Sequence, residues 1–404
     1  MSSQLLSHSE DLERLRSEGY ELAFRAGMLL VGVPYLTAQG EIARGYLVST
    51  LSSSDGERTQ NPVDDHTVGF LGATGSMGDK PYDSDGRLMD YIMAEPNGPV
   101  AFGTIEASCR FSQKKPNDVK YVDYYEKMTT NAEILLAEVH VVDPEVRIQN
   151  DAPIATDDEY SVHNYFDSAT SRSRIGAVSD KTRDQKIAII GLGGTGSYIL
   201  DAVSKTHVRE IHPYDADELH AHNAFRAPGA VSIDALRDKP LKVEHHAQVF
   251  GALHRHITPH PVHIDSENIA ELRQMDFVFI SIDSGPAKRL IFEKLIEFGV
   301  PFVDTGMGAD QSGSSLGAII RTTRILPGVV DQAWIDENID FTSIEDDEYD
   351  QNIQIAELNM LNAAHAVISW KKHIGFYRDF RQDIESEYTL DGNMITRPET
   401  NEDD

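Results

Sequence analysis

Cysteine is nearly missing: the 404 residues hold one, Cys109. A single thiol closes no intrachain disulfide and furnishes no four-thiolate zinc site. Such sparing use of cysteine fits a reducing compartment, so a cytoplasmic location is expected. Positive charge is scarce as well. Asp and Glu number 66 against 36 Lys and Arg, a formal net charge of −30. A chain this acidic is a poor general binder of nucleic acid or of an anionic membrane, and neither is expected as a partner. Long apolar runs are also lacking, and the longest fall far short of the ~20 residues that span a bilayer. The opening residues, Met-Ser-Ser-Gln-Leu-Leu-Ser-His-Ser-Glu, carry no basic flank and no signal-peptide core, so no export is expected. No internal repeat is found. With 40% hydrophobic residues the chain can bury two modest cores, and two domains are the expectation.

What is present concentrates at residues 186–197. A buried-strand pattern, Ile187 to Ile190, runs straight into glycines 191, 193, 194 and 196, and a helix follows from Thr195 to Lys205. In that arrangement bare N–H groups and the positive end of a helix converge on an anion. A second strand over 208–214 ends at Asp215, about twenty positions past Gly193, where a carboxylate reaches a ribose hydroxyl. A NAD-binding domain accounts for this much equally well. Further residues favour a triphosphate. Asp217, Asn223 and Arg226 follow at once, and Lys242 stands at the head of an amphipathic helix, with Lys239 as its rival. Two extra cations neutralise a polyphosphate. Asp283 ends the apolar strand Phe277–Ser281, and a single carboxylate beside phosphates suits Mg2+. The plainer alternative for Asp283 is a helix N-cap ahead of Gly285-Pro286.

The punctuation of the chain sets its organisation. Residues 1–150 read as a smaller α+β domain of unknown role. Its first 25 residues read as a polar helix, its apolar runs (Met28–Val33, Gly45–Leu51, Thr67–Leu71, Pro99–Ile105) alternate with turn-rich loops, and Asp123–Leu136 is its expected inner helix. Residues 143–164 look like a linker. Residues 165–380 read as an α/β domain, a Rossmann-like, doubly wound, mainly parallel sheet. Its strands are expected at 186–190, 208–214, 261–264, 276–281, 301–304 and 316–323. A helix is expected over Gln351–Lys372, with an apolar stripe of Ile353, Leu358, Leu361, Ala364 and Ile368 suited to core or partner packing. Residues 381–404 read as an acidic, partly disordered tail.

The constellation around the glycine loop resembles the ThiF/HesA/MoeB family, the ubiquitin-activating-type adenylyltransferases, over about residues 165–325. The family's loop reads here Gly191-Leu-Gly-Gly-Thr-Gly-Ser197. The resemblance puts its ribose aspartate on Asp215, its second acid on Asp217, its Asn-x-x-Arg motif on Asn223 and Arg226, its phosphate lysine on Lys242 and its metal aspartate on Asp283. It implies ATP and Mg2+ as cofactors and adenylylation of a carboxylate, the C-terminus of a ubiquitin-like protein, with release of pyrophosphate. It also implies a homodimer in which an arginine ahead of the first strand, Arg172 or alternatively Arg174, reaches the other subunit's phosphates.

The departures from the family are definite. Ser284 stands where the family usually has Asn, and Ala227 replaces a glutamine. The two Cys-x-x-Cys pairs of many relatives are missing. No catalytic cysteine lies in the expected loop at 308–316, Gly-Ala-Asp-Gln-Ser-Gly-Ser-Ser-Leu. Adenylation needs no thiol, so the expectation is an enzyme without an in-domain thioester cysteine. Cys109 reads as a small buried hydrophobe, although Arg110, Lys114 and Lys115 nearby would favour a thiolate. The N-terminal region, with Pro34-Tyr35, Gly45-Tyr-Leu-Val-Ser and Tyr121-Val-Asp-Tyr-Tyr, resembles an uncharacterised accessory module fused to ThiF-type domains in bacteria, which implies a bacterial setting. Three alternatives remain, one of them a small-molecule adenylating enzyme for sulfur-carrier or peptide modification. A non-catalytic nucleotide-binding scaffold would keep the fold, and a NAD-dependent oxidoreductase would leave Arg226, Lys242 and Asp283 without tasks.

Overall fold

Period-two alternation of apolar side chains builds the first of two units, Met1–Gly176 and Ala177–Asp404. The computed structural model describes every residue except 1–7, 26, 53–57, 62, 75–78, 95–99, 103–104, 116, 118, 153–160, 166, 168, 171–172, 174, 284, 331, 340, 342–352 and 397–404. In the first unit, strands β1 (Leu22–Arg25), β2 (Met28–Leu36), β3 (Ile42–Thr50), β4 (Thr67–Leu71) and β7 (Cys109–Ser112) form an antiparallel sheet in the order β1-β2-β3-β4-β7. Leu29, Val31, Val33 and Tyr35 of β2 face a core shared with helices α1 (Glu10–Ser17) and α2 (Tyr124–Val142). Met28 and Leu30 face the opposite side, where the hairpin β5–β6 (Val100–Phe102 and Ile105–Ala107) covers the sheet. The helix expected through residue 25 stops early. Gly19, at φ 85°, lets the N–H groups of Gly19 and Tyr20 turn back to the Arg16 and Leu15 carbonyls, and β1 begins at Leu22. Helix α2 starts where the Asp123 carboxylate accepts the Glu126 N–H.

The second unit holds a seven-stranded sheet in the order β14-β13-β12-β11-β10-β8-β9. Its parallel part is β9 (Glu210–Tyr214), β8 (Lys186–Ile190), β10 (Phe277–Ile280) and the start of β11 (Phe302–Ser312). Antiparallel strands β12 (Ser315–Ile325), β13 (Glu385–Thr389) and β14 (Met394–Thr396) extend it. Alternate residues of one strand feed opposite cores. Ile187 and Ile189 pack with α3 (Gly194–Ser204), α4 (Lys242–Gly251) and α6 (Ala356–His373) through Ile199, Val243 and Trp370. Ala188 and Ile190 pack on the other face with Ile291 and Phe292 of α5 (Pro286–Phe298). The unit is therefore an α/β, Rossmann-like, doubly wound sheet, preceded by a smaller α+β unit. Such a sheet opens a crevice at the carboxyl ends of its parallel strands.

Four further expectations are corrected. The strand expected at 261–264 pairs instead at 256–260, where the N–H groups of Thr258 and His260 bond to the Ile211 and Pro213 carbonyls of β9. Pro259 and Pro261 have no N–H to give, so they sit on the outer side of an edge pairing. Residues 308–316 are no loop, because β11 and β12 run antiparallel from Phe302↔Ile325 out to Ser312↔Ser315. Within the segment read as a tail, Glu385–Thr389 and Met394–Thr396 form the sheet's outer strands. The stripe on α6 is split. Leu358 is buried, but Ala364 and Ile368 face outward, and the buried face runs through Asn359, Asn362, Ala363, Ala366, Val367 and Trp370. No helix among the described residues is long and apolar enough to cross a membrane.

Candidate active site

The carboxyl ends of β8 to β11 surround a cavity of about 700 Å³, lined in part by Gly191, Gly193, Gly194, Asp215 and Asp283. Three glycines of the loop are explained by packing. A Cβ on Gly191, which sits at φ 86°, would meet the Ser281 backbone, one on Gly194 the Asn359 side chain, and one on Gly196 the Gly191 carbonyl oxygen. Gly193 differs. A Cβ there would have nothing within 4 Å, and the residue lies on the cavity wall as the N-cap of α3, with no side-chain cap. Bare backbone at that point leaves room for a ligand to come close, and the first N–H groups of α3 have no intrahelical partner. Packing does not require a glycine here.

Asp215 is 7% exposed at the end of β9, and both its oxygens are engaged by backbone. Oδ2 accepts the Leu192 N–H at 2.7 Å and Oδ1 the Asp217 N–H at 2.8 Å. The acid thereby ties the glycine loop to its own turn. Lys242, at the head of α4, lies 2.7 Å from Asp217 Oδ2 and 3.7 Å from Asp215 Oδ2. Burial works to raise Asp217, but the Lys242 hydrogen bond and charge, with His263 and His220, hold it below its ordinary value. The rival, Lys239, is exposed and does not line the cavity. Next to this cation, buried His246 is pushed down to about 4, first by burial and then by His245 and Lys242.

Arg226 lines the cavity, and its buried Nε has no hydrogen-bond partner. Asn223 does not line it. Its Oδ1 accepts the His220 N–H at 2.9 Å and closes a capping box on the short helix Ala221–Ala224, the turn that presents Arg226. Asp283 is exposed on the cavity wall, and the N-cap of α5 is Gly285, so the plainer reading of Asp283 as that cap does not hold. Among the described residues no group of three or more His, Cys, Asp or Glu side chains could hold a metal. Asp283 would thus need phosphate and water as co-ligands. Arg172 and its alternative Arg174 lie outside the described residues, as does Ser284. Cys109 is fully buried in β7, and burial pushes its thiol up to about 12 against the weak pull of Lys80.

Several cavity residues were not anticipated. Asn359 accepts a hydrogen bond from Thr195 Oγ1 at 2.9 Å, and Asn362 Nδ2 donates to the Gly306 carbonyl at 3.0 Å. Both belong to the buried face of α6, where two asparagines among apolar residues were the available signal. Lys288 of α5 and Arg321 of β12 also line the cavity, and both approach the fully buried Asp304.

Residues 170–317 match the ThiF family, and residues 10–168 match a domain of unknown function, DUF6791. The chain thus carries a ThiF-family domain at residues 170–317, preceded by a domain of unknown function. No curated protein matches it. Among solved structures it is similar to PaaA, with 16% identity and a TM-score of 0.42 over 55% of this chain and 66% of that one. It is also similar to Escherichia coli MccB crystallised with MccA, with 18% identity and a TM-score of 0.44 over 57% and 66%. For MccB with ATP the values are 19% and 0.42, over 55% and 65%. The chain spans slightly less than two thirds of the length of these structures.

Proposed function

We propose that the ThiF-family domain of this chain adenylylates a carboxylate with ATP, and that the carboxylate is the C-terminus of a ubiquitin-like protein. The observation that carries the reading is that one cavity gathers the unobstructed Gly193, Asp215, Arg226, Lys242 and Asp283. A NAD-dependent oxidoreductase gives the last three nothing to do, and a scaffold gives no task to Asp283.

In the reaction a carboxylate oxygen of the substrate bonds to the α-phosphorus of ATP. The bond from that phosphorus to the bridging oxygen breaks, and pyrophosphate leaves with the electron pair. No proton has to move, because a carboxylate is already ionised at pH 7. The enzyme's part is to hold two mutually repelling anions together and to neutralise the leaving group. The loop N–H groups hold phosphate, and Asp215, fixed by two backbone donors, receives the ribose hydroxyls beside Asp217. Arg226 and Lys242 take the charge of the pyrophosphate, while Asn223 acts through the turn that carries Arg226. Asp283 would hold Mg2+, which supplies further neutralisation of phosphate charge. Arg172 of a second copy is the candidate to complete the site in a homodimer. With Cys109 buried in the first unit, the enzyme stops at the acyl-adenylate or passes it to a partner's nucleophile.

Exchange of labelled pyrophosphate into ATP, dependent on a carboxylate substrate and on Mg2+, tests the reading. Asp283→Ala should abolish exchange and leave the melting temperature unchanged, since the side chain is exposed. Undiminished exchange in that variant refutes the metal assignment. Stabilisation of the wild type by NAD and not by ATP refutes the reaction class.

A further inference from the structure

We propose that Lys288, Asp304 and Arg321 form a carboxylate-recognition site at the end of the cavity away from Arg226 and Lys242, with Arg321 gripping the substrate's terminal carboxylate. The proposal rests on the adenylylation reading above and assigns the residues that select its second substrate. Asp304 lies on β11 and is fully buried. Lys288 Nζ stands 2.7 Å from its Oδ1, and Arg321 Nη2 stands 3.6 Å from its Oδ2. One cation is enough to balance a buried carboxylate, which is costly to bury unpaired. Lys288 already stands within hydrogen-bonding distance of Asp304, so Arg321, at 3.6 Å, is the less closely held of the two cations, and both line the cavity. Lys288 is almost wholly enclosed, whereas the Arg321 side chain is 26% exposed and its Nε has no hydrogen-bond partner. Arg321 is therefore the cation of the cluster whose side chain is open on the cavity wall, where it can take a ligand's carboxylate.

The surroundings fit an extended chain end. Gly306 and Gly308 lie on the same face of β11 as Asp304 and line the cavity, and a Cβ on Gly308 would meet nothing within 4 Å. That floor is bare backbone. Asn362, 1% exposed and on the cavity wall, donates through Nδ2 to Gly306, but its Oδ1 has no partner. A buried acceptor of this kind suits a peptide N–H on a ligand bound along the floor. Glu387, opposite Arg321 in the β12–β13 register, lines the same wall and forms no ion pair with it among the described residues. The planar guanidinium offers the paired donors that match a carboxylate.

The probe is N-acetyl-glycylglycine against its C-terminal amide, titrated onto the full chain by ligand-observed NMR in the absence of nucleotide. Wild type should prefer the acid by at least about tenfold, the worth of a charge-assisted hydrogen bond. Arg321→Gln should remove that preference while binding the non-hydrolysable analogue AMPCPP with Mg2+ as wild type does. Arg321→Lys, which keeps the charge and the pairing with Asp304 but loses the fork, should show a reduced preference, and it serves if Arg321→Gln does not fold. Equal binding of acid and amide by wild type overturns the proposal, and so does an undiminished preference in both variants. Failure of wild type to bind ATP would instead sink the adenylylation reading, and the acid preference is measured independently of it.

Discussion

Gly193→Ala separates folding from ligand binding, and Gly196→Ala is its control. An ideal Cβ on Gly193 has open space around it, and its backbone (φ −68°, ψ −152°) is extended on the negative-φ side. Alanine restricts the unfolded chain, a gain of about 0.4–1 kcal/mol. It is a poorer N-cap than glycine by about the same amount. The two effects offset, so stability should hold within about 1 kcal/mol, or about 2–4 °C in Tm for a domain of this size. On Gly196 an ideal Cβ would stand 1.8 Å from the Gly191 carbonyl oxygen, so helix α3 or the strand end must move by more than 1 Å. Overpacking against backbone should cost about 2–3 kcal/mol, a Tm fall of about 4–12 °C. The Gly193 methyl enters the cavity where the proposed function puts phosphate, so ATP affinity should drop at least tenfold while the fold survives. Calorimetric titration with AMPCPP and Mg2+, beside thermal unfolding of both variants, reads these outcomes. Wild-type affinity in Gly193→Ala would refute the claim that this glycine is open for a ligand.

Three further outcomes are expected. Cys109 should resist a thiol reagent such as DTNB at pH 8 in the native protein and react fully on denaturation, and Cys109→Ala should keep pyrophosphate exchange; rapid native labelling would contradict its burial. Lys127, fully buried on α2 with its Nζ 2.8 Å from Ser49 Oγ, is pushed down to about 8 by burial, with Asp65 opposing. The folded state disfavours its charged form, so a penalty of up to about 3 kcal/mol stands below pH 8 and is relieved as pH rises toward the unfolded value near 10.4. Hydrogen exchange at α2 amides, corrected for intrinsic rates, should show protection rising over that window in wild type and not in Lys127→Met; equal slopes in both would reject this assignment. Light scattering at micromolar concentration should give a homodimer, and a fully active monomer would remove the role suggested for Arg172.

The parts of the site that were legible in the sequence are those set by local geometry. A strand, a glycine turn and a helix start over 186–205 must lie together, and Asp215 follows because the next strand is parallel and adjacent. Lys242 was legible at the head of its helix, although its hold on Asp217 was not, because that contact depends on how the intervening turn folds back. Lys288, Asp304 and Arg321 belong to a helix and two strands whose packing alone brings their charges together, and no spacing in the chain announces it. The two asparagines of α6 were hidden by the helix's apolar character. The edge pairing at 256–260 was masked by its prolines, and β13 by a polar sequence, Glu-Ser-Glu-Tyr-Thr, with every residue half-buried.

Lys242 is already occupied before any nucleotide arrives, and this makes it a threshold rather than a lure. It rests against one carboxylate that is 7% exposed and another that is half open to water. An anion that draws the lysine away frees Asp217 into solvent but leaves Asp215 to its two backbone donors, so neither acid is stranded. A weakly charged anion gains little from that exchange. On the proposed reading, a polyphosphate, which presents several charges to Lys242 and Arg226 together, would outcompete the resting pair. On that reading the clasp would filter by charge density, because a small anion offers Lys242 no more than Asp217 already does.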